Sequence, residues 1–433
     1  MRILLFGDDF GIPRLLRHLP RNYVCGLVAA SNRPRCHDAL RQCAAEFGLA
    51  LAIQPAYRSE TYSEFVTWVT ALQPDLIWCS SYSMILRPEV LGVPGLGGIN
   101  VHGALLPEYR GSNPLQWAIL EGETVTGVTL HEMSAGVDEG AIIDRRIVPL
   151  YFEDTWQMAQ QRVIAATERL LSDNVPNILS GRWQTVEQNP RQARSWRRRT
   201  ADDGWFDWEQ PVRRIYNLIR ALVAPHPGAY AVDAAGNRQV FDRYLTPSEV
   251  TALKCGDGGQ RFGGAEIRLR PPFEQDGPLL REWLAVQLEA PSRPGCISAL
   301  LNCTDAEMAS VLTGQTDIIL FILDDAATAS PRGTSQIFNI NWRHNCAELR
   351  VGIAMDGPPV STIRVALQQL IAFGSVELGL HRLYVIEGET NRAMIDLYEK
   401  CGLVKESVVF EAVCVDDGYV NAHCYSWVGG RFE

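Results

Sequence analysis

Short continuous apolar runs alternate with longer stretches in which apolar residues return every three or four positions. ILLFG (Ile3–Gly7), VCGLVAA (Val24–Ala30), DLIWCSS (Asp75–Ser81) and the end of GGINVH (to His102) are the apolar runs. Asp38–Phe47 and Thr61–Leu72 carry the helical period between them. Unbroken apolar strands need cover on both faces, so this alternation predicts a parallel sheet with helices on either side. In such sheets ligands bind beyond the carboxyl ends of the strands, and Asn100 and His102 stand at one of those ends. Trp156–Leu179 then reads as one long helix, with Val163, Ile164, Leu170 and Leu171 on its apolar face.

After a basic stretch, QNPRQARSWRRRT (Gln188–Thr200), a small module follows: DDGWFDW, the helical VRRIYNLIRAL, the turn PHPGAY, and the strand-like AYAVDA and RQVFDRYL. GDGGQRFGG (Gly256–Gly264) has five glycines in nine residues and no apolar period, the mark of a linker. Beyond it a second α/β pattern begins. DIILFIL, SQIFNINW and CAELRVGIA are strand candidates, Ser361–Phe373 a helix, RLYVIEG a strand, Asn391–Cys401 a helix, and SVVFEAVCV and YVNAHCYSWV closing strands. The expected organisation is 1–188, a first α/β domain; 189–255, a small β-rich subdomain; 256–264, a linker; and 265–433, a second α/β domain. Division at the linker is expected to give two independent halves.

A length of 433 residues fits two or three domains at a prior of ~150 residues each. Hydrophobic content of 46% and charged content of 21% are ordinary for a globular protein, and no run approaches the ~18 apolar residues of a membrane helix. MRILLFGDDFGI reaches acidic residues at once, which marks a strand and not a signal peptide. A net charge of −10 argues against a partner held through phosphates, so no nucleic acid and no membrane are expected. The 11 cysteines form no CxxC and no zinc spacing, which points to reduced thiols in a cytoplasmic protein without a metal. A homodimer is compatible with these totals.

The chemistry concentrates in GINVHGALLPEYRGSNPLQW (Gly98–Trp117) and SAGVDEGAII. Acyl transfer to an amine requires a donor for the developing oxyanion and a group that takes a proton. An Asn amide supplies the first, a His with a pKa near neutrality the second, and a carboxylate orients the imidazole. Asn100, His102 and Asp138 are therefore the candidate catalytic residues. GDDFG after the first strand lacks the G-x-G-x-x-G spacing and places two carboxylates where a pyrophosphate would lie, so a dinucleotide is not expected.

With Asn-x-His, LLP-x-Y-RG and the later Asp all in place, residues 1–245 resemble the folate-dependent formyltransferases. The resemblance implies a Rossmann-like catalytic domain using 10-formyl-tetrahydrofolate, followed by a small β-rich, OB-like subdomain. It implies a folate pocket along Ser83, Met84, Ile85 and Leu86 and along Ser134, Ala135, Gly136 and Val137. It also implies a loop through Pro107, Tyr109, Arg110, Gly111 and Ser112, with Trp117, bordering the amine's site. The PLQW pattern is similar to the amino-sugar and hydroxyornithine branches. Because an amino-sugar branch has a basic residue at the position of Ser112, the small-molecule amine stays open: a nucleotide-linked amino-sugar, or a hydroxyornithine-like amine of a siderophore pathway.

In the last domain, LGLHRLYVIEGETNRAMIDLYEKCGLVKE (Leu378–Glu406) resembles the closing half of the GNAT acyltransferases, matching at Asn391, Tyr398, Glu399, Lys400 and Gly402. This implies acetyl-CoA or another acyl-CoA, Tyr398 as the acid that protonates the thiolate, and a pyrophosphate at a helix N-terminus. In MDGPPVSTIR two prolines remove amide donors, which leaves Val360, Ser361 and Thr362 to hold the phosphates. The combined expectation is a bifunctional formyl- and acyltransferase. The alternative is a formyltransferase with a GNAT-like module for binding or dimerisation.

Overall fold

A computed structural model describes residues 1–256, 262–263, 266–289, 303–353, 360–415 and 418–429. The chain divides into two compact units, Met1–Asp203 and Gly204–Glu433. The expected linker thus falls inside the second unit, and residues 257–261 and 264 of it lie outside the described residues.

The first unit is built on β1 (Ile3–Gly7), α1 (Gly11–His18), β2 (Val24–Ala30), α2 (His37–Phe47), β3 (Leu51–Gln54), α3 (Tyr62–Ala71), β4 (Leu76–Ser80), α4 (Pro88–Leu91) and β5 (Gly98–His102). The short β6 (Arg110–Gly111), α5 (Pro114–Leu120), β7 (Val125–Glu132), β8 (Ile142–Pro149), α6 (Trp156–Leu179) and the short β9 (Ser195–Trp196) complete it. The sheet order is β3-β2-β1-β4-β5-β7-β8. Strands β1 to β5 are parallel as expected, but β7 runs against them, paired antiparallel with β5 on one side and with β8 on the other. The connection from β5 to β7 runs through the LLPEYRG loop, β6 and α5.

Alternation along the strands fills both faces. Ile3, Leu5, Leu27, Trp78 and Ile99 pack with Leu15 of α1 and Leu170 and Leu171 of α6. Leu4, Phe6, Val28 and Ile77 pack with Tyr62, Phe65 and Val69 of α3. Each such large apolar side chain contributes about 1.5–3 kcal/mol on burial. At the β1–α1 turn, Asp8 Oδ1 accepts from the N–H groups of Phe10 (3.1 Å) and Gly11 (2.8 Å), and Arg33 pairs with its other oxygen at 3.0 Å. A carboxylate thus occupies the helix terminus that a dinucleotide phosphate would need. Gly11 lies so close to β4 that a Cβ there would overlap the Ser80 carbonyl.

The second unit opens with α7 (Val212–Ala221), β10 (Ala229–Val232), β11 (Arg238–Phe241) and α8 (Pro247–Cys255). Residues 189–255, expected as an OB-like, β-rich subdomain, carry among the described residues the short β9, the two strands of the β10–β11 hairpin, and the helices α7 and α8. α8 escaped the sequence reading, although TPSE is a capping box in which Thr246 and Glu249 satisfy each other's backbone N–H groups behind Pro247.

There follow β12 (Phe262–Gly263), β13 (Ile267–Arg270), α9 (Gly277–Glu289), α10 (Asp305–Thr313), β14 (Ile319–Asp325), β15 (Pro331–Asn341) and β16 (Cys346–Ile353). The unit closes with α11 (Val360–Ala372), β17 (Arg382–Gly388), α12 (Arg392–Lys400), β18 (Val404–Val415) and β19 (Gly418–Val428). The sheet order is β12-β13-β14-β15-β16-β17-β19-β18. It is antiparallel except between β16 and β17, which pair in parallel over Cys346–Glu348 and Arg382–Tyr384. Both strands run on past that pairing, β16 to Ile353 and β17 to Gly388.

Helix α8 is tied to this sheet through its polar side chains. Ser248 Oγ donates to the Ile318 carbonyl at 2.7 Å, and Lys254 Nζ reaches Glu377 Oε2 and the Gln210 carbonyl, each at 2.8 Å. Glu377 Oε2 also accepts from the Val212 N–H at 2.9 Å, at the start of α7. Among the described residues no helix is long and apolar enough to cross a membrane, and no cluster of His, Cys, Asp or Glu has metal-binding geometry.

Candidate active site

At the carboxyl end of β5, Asn100 pairs across the sheet with His131 of β7, and His102 with Thr129. Asp138 enters from the loop between β7 and β8, in the left-handed region at φ 54°. Its Oδ2 accepts from the Gly111 N–H at 2.9 Å and lies 3.4 Å from His102 Nδ1. Its Oδ1 lies 3.5 Å from both Asn100 Nδ2 and His131 Nε2. The structure therefore brings together the three residues expected to do the chemistry.

The hydrogen bonds fix the ring tautomers. His102 Nε2 faces the Tyr109 carbonyl at 2.8 Å, and a carbonyl only accepts, so this nitrogen carries the proton. A neutral ring then turns the Nδ1 lone pair toward Asp138, consistent with the long 3.4 Å separation. A protonated ring would satisfy both partners. Burial pushes the His102 pKa below its ordinary value, against the upward pull of Asp138. Asp138 is held well below the usual carboxylate range: its burial opposes ionisation, but His102 and the Gly111 N–H outweigh it. The outcome is a neutral imidazole beside a carboxylate that favours its protonation, the arrangement of a general base.

His131 escaped the sequence reading. Its Nδ1 donates to the Glu132 carbonyl at 2.7 Å, so its Nε2 is an acceptor, and Asn100 Nδ2 donates to it at 3.2 Å. That bond sets which way the Asn100 amide points. The weaker 3.5 Å contact of the same amide with Asp138 leaves an N–H that can turn to an incoming oxygen. LHEM carries the signal for His131, but only the antiparallel β5–β7 pairing places it opposite Asn100.

The loop residues divide. Arg110 is buried and bonded through Nε and Nη2 to Gln188 Oε1, at 3.1 and 2.7 Å, while Gln188 Nε2 donates to the carbonyls of Asp138 and Gly140. Gln188, also missed, thus clamps the Asp138 loop to the LLPEYRG loop. Tyr109 is buried, its hydroxyl donates to Glu123 at 2.6 Å, and its ring stacks on Trp196 at 5.5 Å. Trp117 also packs on Trp196, at 4.7 Å, donates to the Arg197 carbonyl and carries the Arg199 guanidinium over its ring. Tyr109 and Arg110 therefore pin the loop whose Gly111 N–H reaches Asp138, and Trp117 packs on the same Trp196 as Tyr109. Gly111 gives its N–H to Asp138, Pro107 is half-buried, and Ser112 is exposed.

Along the expected folate strip, Ser83 Oγ donates to Asn32 Oδ1 at 2.6 Å, the Ile85 carbonyl accepts from Gln54, and Met84 Sδ accepts from Ser31. Ile85 is exposed, whereas Leu86 lies in the core with Phe6 and Phe65. Ser134, Ala135 and Val137 are exposed and Gly136 half-buried, on the loop that ends at Asp138.

In the second unit, Tyr398 is buried and its hydroxyl donates to Glu387 Oε2 at 3.0 Å, while Asn391 Nδ2 donates to Glu387 Oε1 at 3.2 Å. Burial raises the phenol's pKa, and Glu387 adds to the effect. Val360 and Ser361 are exposed and Thr362 half-buried in the first turn of α11; residues 354–359 before it lie outside the described residues.

Residues 15–175 match the formyl transferase family, and residues 198–259 match the formyl transferase C-terminal domain. A curated relative, the bifunctional polymyxin resistance protein ArnA of Wigglesworthia glossinidia brevipalpis, is 33% identical over 193 residues, which is 43% of this chain. The chain spans 30% of that relative's length. Among solved structures, a sugar N-formyltransferase from Shewanella sp. FDAARGOS_354 is 18% identical with a TM-score of 0.47, covering 56% of this chain and 97% of its own. An N-formyltransferase from Helicobacter canadensis, bound to folinic acid and dTDP-3-aminofucose, is 17% identical with a TM-score of 0.42, covering 63% of this chain and 89% of its own. The chain thus carries the N-terminal and C-terminal domains of a formyltransferase.

Proposed function

We propose that the first unit transfers a formyl group from 10-formyl-tetrahydrofolate to the amine of a small metabolite, a nucleotide-linked amino-sugar being the favoured acceptor. The observation that carries this reading is the convergence of Asn100, His102 and Asp138 at the end of β5 inside a matched formyltransferase domain. Bound folate supplies the activated formyl carbon. Asn100 Nδ2 turns from its weak contact with Asp138 and donates to the carbonyl oxygen as charge builds on it, while His131 keeps the amide oriented. The amine nitrogen would bond to the formyl carbon as the bond from that carbon to the folate nitrogen breaks; the amine's proton would pass by way of Asp138 to His102 Nδ1, whose imidazolium gains a full hydrogen bond to Asp138 that the neutral ring lacks, and then on to the departing folate nitrogen. Interactions realised only after proton transfer lower the barrier and not merely the ground state. The exposed Ile85 and Val137 give the folate strip its apolar edge.

The test is formyl transfer measured by the release of tetrahydrofolate with a panel of amines. His102→Asn should lower turnover by roughly two to four decades with folding kept. Turnover within a factor of two of wild type would defeat the assignment.

For the second unit, the reading favoured by a specific observation is an acyl-CoA-dependent N-acyltransferase. β16 and β17 pair over three residues and then run on unpaired with one another, which leaves edge groups that a pantetheine amide could bridge. Tyr398 is held by Glu387 on the far end of β17 as a phenol that keeps its proton. Acetyl-CoA should stabilise the full chain, and Tyr398→Phe should slow acyl transfer without changing formylation. Absence of any thermal shift at millimolar acetyl-CoA would leave the unit as a binding or dimerisation module.

A further inference from the structure

Three neighbouring positions in the middle of β15 carry polar side chains where a central strand would ordinarily be apolar. Thr334, Ser335 and Gln336 are 1%, 0% and 5% exposed, and among the described residues Thr334 Oγ1, Ser335 Oγ and Gln336 Nε2 have no hydrogen-bond partner. Buried polar groups in folded proteins are satisfied in all but a few instances, so such a run calls for an explanation. Strand alternation separates them. Ser335 pairs with Phe321, which packs on Phe373 at the end of α11, so Ser335 faces α11. Thr334 and Gln336 face the other side, roughly 6.6 Å apart along the strand.

Register identifies their neighbours on that side: toward β14 they pair with Ile322 and Leu320, which pack with Leu280 of α9 and Met308 and Leu312 of α10, and the polar neighbours lie toward β16. Gln336 pairs directly with Arg350 of β16, and Phe338 pairs with Glu348. The Arg350 guanidinium lies over the Phe338 ring at 4.6 Å, which confirms that these side chains share a face. Glu348 is 4% exposed and accepts from Asn339 Nδ2 at 3.2 Å. One patch of sheet therefore combines an unused amide donor, an unused hydroxyl, a guanidinium and a carboxylate. The donors beside Arg350 suit an anionic oxygen acceptor, and Glu348, one pair further along, suits a basic nitrogen.

We propose that this face of the second sheet binds a small molecule bearing both a carboxylate and an amino group, the carboxylate taken by Gln336, Thr334 and Arg350 and the amine by Glu348. The ligand would supply the hydrogen bonds that Thr334 and Gln336 lack. This inference does not depend on formyl transfer by the first unit, and His102→Asn serves as the control that separates the two.

The experiment is a calorimetric and thermal-shift titration of the full chain with L-ornithine, and with 1,4-diaminobutane, which is the same molecule without the carboxylate. Wild type should bind L-ornithine and ignore the diamine. Thr334→Val and Gln336→Met should each weaken L-ornithine binding at least tenfold, Thr334→Ser should retain it, and His102→Asn should not alter it. Because each apolar replacement removes an unsatisfied group, both should melt at or above the wild-type temperature without ligand. The proposal is overturned by no binding to wild type at roughly 10 mM, by equal binding of the diamine, by loss of binding in His102→Asn, or by melting several degrees below wild type in both apolar variants.

Discussion

Replacing Lys254 by Met should destabilise the second unit more than any other single change to a charged side chain of α8. Lys254 sits in the last turn of the helix with its side chain 1% exposed; its Nζ is 2.8 Å from Glu377 Oε2, and the Glu377 side chain is 12% exposed. Methionine preserves the apolar stem and removes the ammonium. Glu377 is then left nearly buried with the Val212 N–H as its remaining described donor. Breaking a buried pair from one side costs about 3–5 kcal/mol, because the surviving charge has lost its counter-ion. The retained Val212 bond and the slight exposure of Glu377 put this case near the lower figure. At roughly 2–4 °C per kcal/mol for a unit of this size, the melting temperature should fall by roughly 6–12 °C. Scanning calorimetry on the full chain reads it directly. Lys254→Met/Glu377→Leu, which removes both charges, should recover most of the loss. A single variant melting within about 1 °C of wild type, or a double variant no better than the single, would refute the reasoning. The same pair bears on where the chain can be divided: a fragment ending at Cys255 retains Lys254 but has no Glu377, so it should fold poorly by itself.

Three further outcomes are expected. His131→Leu removes the acceptor that orients Asn100 and should lower the formyl-transfer rate about five- to tenfold, a hydrogen bond's worth, without affecting Km for the amine; an unchanged rate would show that Asn100 is oriented by other contacts. Formyl transfer should depend on a basic group titrating below the ordinary His value, since burial lowers the His102 pKa, so the acid limb should have its midpoint below about pH 6.5; a midpoint above that value would contradict this. The sign for stability follows from the same shift. A lowered His pKa means the unfolded chain binds the extra proton, so the first unit loses stability as pH falls from the unfolded pKa near 6.5 through the folded one. Asp138, also lowered, loses its contribution only in strong acid, and a melting curve in His102→Asn should be flatter between pH 7 and 5.

What the sequence made legible was what local pattern controls. The apolar runs ILLFG, VCGLVAA and LIWCS became β1, β2 and β4, and Trp156–Leu179 became one helix, because unbroken apolar strands and a sustained helical period each have one way to bury themselves. Asn100, His102 and Asp138 were legible because their spacing in two motifs is distinctive. His131 was not, since its role follows from an antiparallel strand pairing that residue spacing does not encode. Gln188 was hidden for a similar reason: it lies far along the chain from Arg110 and meets it only in the folded unit. In the small subdomain AYAV and RQVF form the two strands of one hairpin, as their pattern suggests, while the capping box at Thr246 marks a helix that apolar periodicity alone does not reveal.

The central claim is that the site formed by Asn100, His102 and Asp138 works on a folate-borne formyl group. Its most direct test is a calorimetric titration of the full chain with 5-formyl-tetrahydrofolate, a stable analogue that requires no knowledge of the amine. The account predicts saturable binding in the micromolar range, on the order of −8 kcal/mol, weakened at least tenfold when the exposed Val137 beside Asp138 is replaced by Asp. No heat at millimolar analogue, or equal binding by Val137→Asp, would contradict it.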